Sequence, residues 1–226
     1  MTGRMLPRTD LTCAQRAAML ALMQEHFAGV TAELFDRDLA EKNWLILLED
    51  DQGRLRGFST QLLSAMQVNG APVRVVFSGD TIVDRDAWGS NALARTWLEA
   101  VRTWQSDVPL YWLLITSGFR TYRFLPVFWK EFWPRHDSPA LPAMLIAMAS
   151  ERFGGRYDPA TGIVRLAAPQ VLRNGLAEIP PSRLGNPHVE FFARVNPGHA
   201  RGDELACLCP LTRANQTPAG LKLAAL

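Results

Sequence analysis

The chain has 226 residues, 48% of them hydrophobic, and its 24 basic and 22 acidic side chains leave a formal net charge of +2. That length supports a sizeable core, while so even a charge balance excludes the concentrated basic face that nucleic-acid binding needs. Three cysteines, Cys13, Cys207 and Cys209, are too few and too scattered for a disulfide framework or a metal site. The most apolar window, residues 141–149, is far shorter than the ~20 residues of a membrane span, and the N-terminus lacks the apolar core of a signal peptide. A cytoplasmic protein is expected, with no metal, no nucleic-acid partner and no membrane span.

In chain order, Thr12-Cys-Ala-Gln15 has capping-box spacing, and Met19, Leu22, Met23, His26 and Phe27 follow on one helical face, with Gly29 as the stop. Thr31 is placed to cap a second, shorter helix. Asn43-Trp-Leu-Ile-Leu-Leu-Glu49 reads as a strand covered on both faces. A turn at residues 50–53 returns the chain through a strand from Leu55, in which Gly57 marks a bulge or a close backbone approach. Asn69-Gly70 then joins this strand to another over residues 73–83, because both residues tolerate positive φ. A three-stranded antiparallel meander is predicted.

A polar turn, Asp84-Arg-Asp-Ala-Trp-Gly-Ser-Asn91, leads into a helix capped by Ser90 or Asn91. Its apolar line is Leu93, Trp97, Val101 and Trp104. A buried strand opening through such a turn into a helix N-terminus presents free N–H groups and a positive dipole end, which suits a phosphate. Leu110-Tyr-Trp-Leu-Leu-Ile-Thr116 is the next strand, and the strand–helix–strand unit predicts a right-handed crossover and a locally parallel pair. Residues 124–133 read as an aromatic helix-like segment. Residues 134–187 are rich in Pro, Gly and Arg, with a turn at 158–162, and read as an insertion packed against the main sheet. His188-Val-Glu-Phe-Phe-Ala-Arg-Val195 and Leu205-Ala-Cys-Leu-Cys-Pro-Leu211 read as two closing strands. The polar tail from Thr212 is expected to fray. Most of the seven tryptophans fall between Trp88 and Trp133, either as core or as the lining of an apolar pocket.

This layout resembles the GNAT acyltransferase superfamily, over a core of residues 12–133 and 188–211 with the insertion 134–187 left over. The resemblance implies a single α+β domain over residues 1–226, built on a mixed, mostly antiparallel sheet flanked by helices. In that family the loop after the fourth strand, Gln/Arg-x-x-Gly-x-Gly/Ala, holds the pyrophosphate of coenzyme A. Here the loop is Asp86-Ala-Trp-Gly-Ser-Asn91, in which Gly89 matches, Asp86 takes the lead position and Asn91 the last. Carried over, the resemblance implies donor contacts at Gly89, Ser90 and Asn91, with Val83 on the strand ahead of them; Arg120 and Arg123, flanking Tyr122 just past the fifth strand, either meet a phosphate or form a solvated basic edge. The family's helix tyrosine, which protonates the leaving thiolate, falls at Val127 or Phe128, and Tyr122 is the nearby phenol.

Amide formation from a thioester needs an amine that loses its proton, a donor to the carbonyl oxygen, and a proton for the thiolate. Asp80, in Phe77-Ser-Gly-Asp-Thr81, is the first candidate base: a carboxylate among apolar strand residues has its pKa raised by desolvation. The bland alternative is a structural ion pair. Gly79 allows a bulge turning Ser78 and Asp80 towards a cleft, and the N–H groups around Ile82 and Val83 are candidates for the carbonyl oxygen. His199, in the loop 196–204, is a second candidate base, with Tyr122 as the candidate acid. His26 and Cys13 have plain structural readings. The expected function is transfer of an acyl group from acyl-CoA or an acyl carrier protein to a small-molecule amine by direct attack. The alternatives are an inactive GNAT-like module that binds a ligand or a protein, and another kind of α+β enzyme. Trp88, Phe119, Phe124, Phe128 and Trp129 are candidates for an acyl-chain pocket.

Overall fold

The computed structural model describes residues 1–173 and 175–225. Strand β1 (Thr2–Pro7) pairs antiparallel with β3 (Trp44–Glu49). Between them lie helix α1 (Cys13–His26), the two-residue strand β2 (Phe27–Ala28) and α2 (Ala32–Ala40). The Thr12 hydroxyl accepts from the Gln15 amide at 3.2 Å while the Gln15 side chain answers the Thr12 amide at 3.1 Å, so the capping box forms. Thr31 caps α2 in the same manner. The meander continues through β4 (Leu55–Val68) and β5 (Ala71–Val83), joined at Asn69 and Gly70 with φ of 52° and 77°. Helix α3 (Ala92–Thr103) then crosses to β6 (Leu110–Thr116), which runs parallel to β5.

Beyond β6 come the short helices α4 (Phe119–Tyr122) and α5 (Phe124–Phe128), then α6 (Ala143–Phe153). A small hairpin follows, β7 (Tyr157–Asp158) and β8 (Ile163–Val164), then β9 (Val171–Leu172), α7 (Pro181–Leu184) and α8 (Pro187–Val195). The chain ends with β10 (Glu204–Pro210) and α9 (Pro218–Leu223). Eight strands form one sheet in the order β1-β3-β4-β5-β6-β10-β8-β7, and β2 pairs with β9 apart from it. The fold is an α+β arrangement: among the described residues, a mixed sheet with one parallel pair, β5 with β6, and helices on both faces.

Period-two alternation explains why the central strands read as apolar throughout. Val76, Trp112, Leu114, Cys207 and Cys209 join Trp97, Val101, Tyr122 and Phe192 in the core on the α3, α4 and α8 face. Their sequence neighbours Val75, Phe77, Leu113, Ala206 and Leu208 turn to the other face, against α6, and Leu45 and Leu47 pack there on α1 and α2. Among the described residues no helix is long and apolar enough to cross a membrane.

Four expectations need correction. The stretch 188–195 is a helix, not a strand. Pro187 sits in its first turn, and the Asn186 side chain accepts from the His188 and Val189 amides at 3.0 and 3.3 Å, a cap that outweighs the β-like run of Val and Phe. Strand β1 lies ahead of the expected core, and Gly3 lets Thr96 of α3 press onto it where any Cβ would collide. Helix α5 stops at Phe128, after which Trp129 and Trp133 form extended bridges to Gln216 and Leu208. The tail does not fray: buried Asn215 donates to the carbonyls of Glu131 and Pro210 at 2.9 and 2.8 Å, and Arg102 bonds the Ala224 carbonyl at 2.7 Å. The insertion carries α6 on one face, and its β7–β8 hairpin extends the main sheet beyond β10.

Candidate active site

Strand β5 changes partners midway. On one side the register with β4 runs Gln61↔Ser78 and then Ser59↔Thr81, so Thr60 faces both Gly79 and Asp80 across a β-bulge. On the other side the pairs with β6 end at Ser78↔Leu114, although β5 continues to Val83 and β6 to Thr116. The two strands therefore part beyond Ser78. The bulge also reverses the alternation: Val76 and Val83 pack on the α3 face, while Ile82 turns to the α1 and α2 face. The Asp84 amide bonds the Arg56 carbonyl at 2.8 Å on the β4 side, so alternation turns the Val83 backbone towards the open edge. There the Trp88 indole N–H already donates to the Val83 carbonyl at 2.8 Å.

Below the bulge, buried polar groups form a relay. The Trp112 indole donates to Ser78 at 2.8 Å, Ser78 to the Gln61 oxygen at 2.6 Å, Gln61 to Ser59 at 2.7 Å, and Ser59 shares a proton with Thr81 at 2.7 Å. Ser78 thus serves this relay and not a cleft. Gln61 is 1% exposed, so the groups it joins are shut off from bulk solvent. Gln61→Leu should lower unfolding stability by about 1–3 kcal/mol, the cost of leaving buried hydroxyls without a partner. An unchanged urea midpoint would show that the relay is not needed.

At the open end a group of titratable side chains converges from separate elements. Asp80 is half-buried, and its pKa is pushed up to about 6, chiefly by burial; Lys42 opposes the rise and Asp38 adds to it. Glu204, at the start of β10, has the alternation parity of Ala206 and so shares the sheet face of Asp80 and Ile82. Burial and then the Asp80 charge push its pKa up to about 8, while the hydroxyl and amide of Ser117 hold it down by hydrogen bonding. Near neutrality Asp80 is mostly ionised and Glu204 mostly protonated, so the facing pair carries one proton between them.

His199, in the loop before β10, packs 5.6 Å from the Phe192 ring centroid; its ring bonds the backbone of Ser117, the residue that also bonds Glu204, and burial lowers its pKa. Its Nδ1 is buried without a partner among the described residues. Fully buried Asn196 pins the loop by donating to the carbonyls of Thr116 and Asp203 at 3.4 and 2.9 Å. Gly198 leaves room for the Asp203 carboxyl, which any Cβ there would strike.

Tyr122 does not join them. It is fully buried among Phe132, Phe191 and Phe192, its hydroxyl donates to the Pro134 carbonyl at 2.9 Å, and burial raises its pKa far above the phenol range. As a candidate acid it is corrected: the proton is committed inside the core. Of the proposed acyl-pocket residues, Phe119 and Trp129 are likewise buried core, whereas Trp88 is exposed and Phe124 packs edge-on against Phe128 at 5.3 Å. Cys13 lines a surface cleft with Arg8, Arg16 and Asp36, none of which belongs to the converging group.

The turn before α3 gathers the other candidates. Ser90 accepts from the Ala92 amide at 3.1 Å, whereas Asn91 occupies the N-cap position without a side-chain cap bond. Gly89 faces open space. The Asp86 carboxylate is matched by Arg56 at 3.3 Å, which also pairs with Asp84 at 3.2 Å. The Arg120 guanidinium stacks 4.4 Å from the Trp88 ring centroid and 4.6 Å from that of Phe119, and donates to the Leu176 carbonyl at 2.9 Å. Burial lowers its pKa, and the nearby charges of Arg85 and Arg183 lower it further, so three arginines lie close together beside the α3 turn. The structure thus brings Arg120 to the loop from which sequence separates it. Among the described residues no three His, Cys, Asp or Glu side chains group as a metal site.

Sequence reading missed Glu204 and Lys42. Glu204 ends a polar loop and carries no signal that the strand it starts faces Asp80. Lys42 looks like any surface lysine at a helix end.

No family model matches the chain, and no characterised protein matches its sequence. Several solved structures of similar shape are N-acyltransferases. The GNAT family N-acetyltransferase YhbS from Escherichia coli, solved with CoA, is 15% identical with a TM-score of 0.41, over 55% of this chain and 68% of that one. A probable N-acyltransferase from Enterococcus faecalis is 16% identical with a TM-score of 0.41, and the match covers 54% of this chain but only 31% of that longer one. An acyl-CoA N-acyltransferase from Pseudomonas aeruginosa is 23% identical with a TM-score of 0.37, covering 49% and 77% of the two chains.

Proposed function

We propose that this chain is a divergent GNAT-type acyltransferase that moves an acyl group from a thioester donor to an amine in one direct displacement. The observation that carries the reading is the parting of β5 and β6 beyond Ser78, with Asp80 on the bulge and Glu204 across from it. The amine nitrogen attacks the thioester carbonyl and gives its proton to Asp80. The Val83 amide, turned to the open edge, is placed to donate to the carbonyl oxygen as charge develops there. The C–S bond breaks, and Glu204, protonated near neutrality, supplies the proton the thiolate takes up. Asp80 is then protonated and Glu204 ionised, and a proton passed between the facing pair restores both. His199 is the neutral imidazole at the edge of this group, a second proton acceptor.

The donor is acyl-CoA or an acyl group on a carrier protein. The N-terminal turn of α3 with Gly89, Ser90 and Asn91, and Arg120 beside Arg85 and Arg183, support a place for its phosphates. The acceptor side lies under the insertion, whose Val171–Leu172 strand pairs with Phe27–Ala28 and sets Leu172 against Gly118 at the end of β6. Its occupant is a small-molecule amine.

The departures in the α3 turn and the buried Tyr122 favour the rival reading of an inactive binding module. Thiol release from acetyl-CoA, a long-chain acyl-CoA and an acylated carrier protein, measured over a panel of amines alongside thermal shift, separates the two. Amine-dependent thiol release with at least one donor is the expected result. Stabilisation by CoA without thiol release would leave the inactive module, and neither response would sink both readings.

A further inference from the structure

We propose that Lys42 is a positioning residue acting through Asp80: its ammonium, enclosed beneath the β5 bulge, is the counter-charge that keeps that carboxyl ionised. This rests on the acyl-transfer reading, because it assigns Lys42 through the base of that reaction.

Lys42 lies in the turn between α2 and β3 and is only 5% exposed, an unusual place for a lysine. Its Nζ donates to the Asp38 carbonyl at 2.8 Å and stands 5.7 Å from the Phe77 ring centroid. The stem passes directly under the bulge: a Cβ on Gly79 would lie 2.6 Å from Lys42 Cε and 3.2 Å from Nζ. Gly79 has no positive φ, so its place is one of close approach, to Lys42 and to Thr60 Oγ1 at 2.7 Å from such a Cβ, and not of backbone freedom. Asp80 is the next residue.

The charged groups facing the pair come from four elements besides β5. Asp80 meets Lys42 from the α2–β3 turn, Asp38 from α2 and Glu204 from β10. Lys42 meets Asp80, Asp38, Glu41 and, from α6, Arg152. Around Asp80, burial and Asp38 favour the protonated form, and Lys42 opposes them. Around Lys42, burial and Arg152 favour the neutral amine, and Asp80 is the largest influence against them. Each partner therefore holds the other charged. A surface lysine could not do this, because solvent would screen it.

Two variants and two readouts test the proposal. Lys42→Met removes the charge and keeps much of the stem; Lys42→Arg keeps the charge. The Asp80 carboxyl is titrated by 13C NMR in protein without donor or acceptor, and the pH profile of kcat/KM is recorded for acyl transfer. In Lys42→Met the Asp80 midpoint should rise by about one pH unit or more, and the acid limb of kcat/KM should rise with it. Lys42→Arg should leave the limb near its wild-type position. In an Asp80→Asn background, Lys42→Met should move no limb at all, which a merely structural lysine would not predict. An unmoved Asp80 midpoint in folded Lys42→Met overturns the proposal. Should that variant not fold, the wild-type titration decides: the Asp80 resonance must show a second inflection as Lys42 loses its proton, and a single inflection overturns the proposal. Failure of the acyl-transfer reading is seen separately, as absence of transfer by the wild type or full activity in Asp80→Asn, with the titration coupling still present.

Discussion

Asp80→Asn should lower kcat/KM for acyl transfer by about 10²–10⁴, the usual contribution of a positioned general base, while the fold stays intact. The amide keeps the shape of the carboxyl but cannot take the amine's proton. The wild-type profile should be bell-shaped, with the rate falling below about pH 6 as Asp80 takes up a proton and above about pH 8 as Glu204 loses its own. Stability should change the other way. Both carboxyls hold protons to higher pH in the folded chain than in the unfolded one, where ordinary values are 3.8 and 4.5. Each therefore withdraws stability as the pH rises from its ordinary value through its folded value. At pH 7 Asp80→Asn relieves that cost but leaves the buried Lys42 ammonium without its largest opposing charge, so the base role is read from kcat/KM in the folded variant and not from Tm. Full activity in folded Asp80→Asn would remove Asp80 as the base.

Arg120→Glu should raise the Kd for CoA on the order of 10²-fold, which corresponds to the loss of one or two charge-assisted hydrogen bonds. The side chain is held in place by the Trp88 and Phe119 rings and by the Leu176 carbonyl, so its charge is fixed beside the α3 turn. Reversing it puts a carboxylate among Arg85, Arg183 and any incoming phosphate. The same substitution should weaken a carrier-protein donor much less, because protein contacts deliver its single phosphate. Titration calorimetry with CoA, set beside kinetics with an acylated carrier protein, reads both effects. An unchanged CoA affinity would move the donor phosphates away from Arg120.

The central sheet was legible because each of its signals was local. Asn69-Gly70 dictates a turn by backbone freedom alone, and the run Leu110–Thr116 is apolar on both faces because both faces are covered. Helix α8 was hidden because Val189, Phe191, Phe192 and Val195 make a β-like run, and only Asn186-Pro187 just ahead of it signals a helix start. The N-terminal strand was hidden by its weak alternation; the length of β3 alongside it, and not its own side chains, makes it a strand.

The site divides in the same way. Asp80 stood out because a carboxylate after a glycine in an apolar strand demands a reason, and the bulge that Gly79 suggested is present. Arg120 was named, but its stacking on Trp88 joins residues 32 positions apart and leaves no trace in either stretch. Glu204 and Lys42 come from opposite ends of the chain, and their charges act on Asp80 or feel its charge only once β10 and the α2–β3 turn are in place. Tyr122 misled for the reverse reason: its neighbourhood in sequence, between two arginines, looked exposed, while its neighbours in space are three phenylalanines.

A crystal structure of the chain in complex with CoA tests most directly whether the gap between β5 and β6 is where a thioester reacts. The pyrophosphate should lie against the first turn of α3 and Arg120, with the thiol in the gap between the Val83 amide and the facing carboxyls of Asp80 and Glu204. CoA bound elsewhere, or β5 and β6 paired continuously to Val83 with the gap closed, would contradict the assignment.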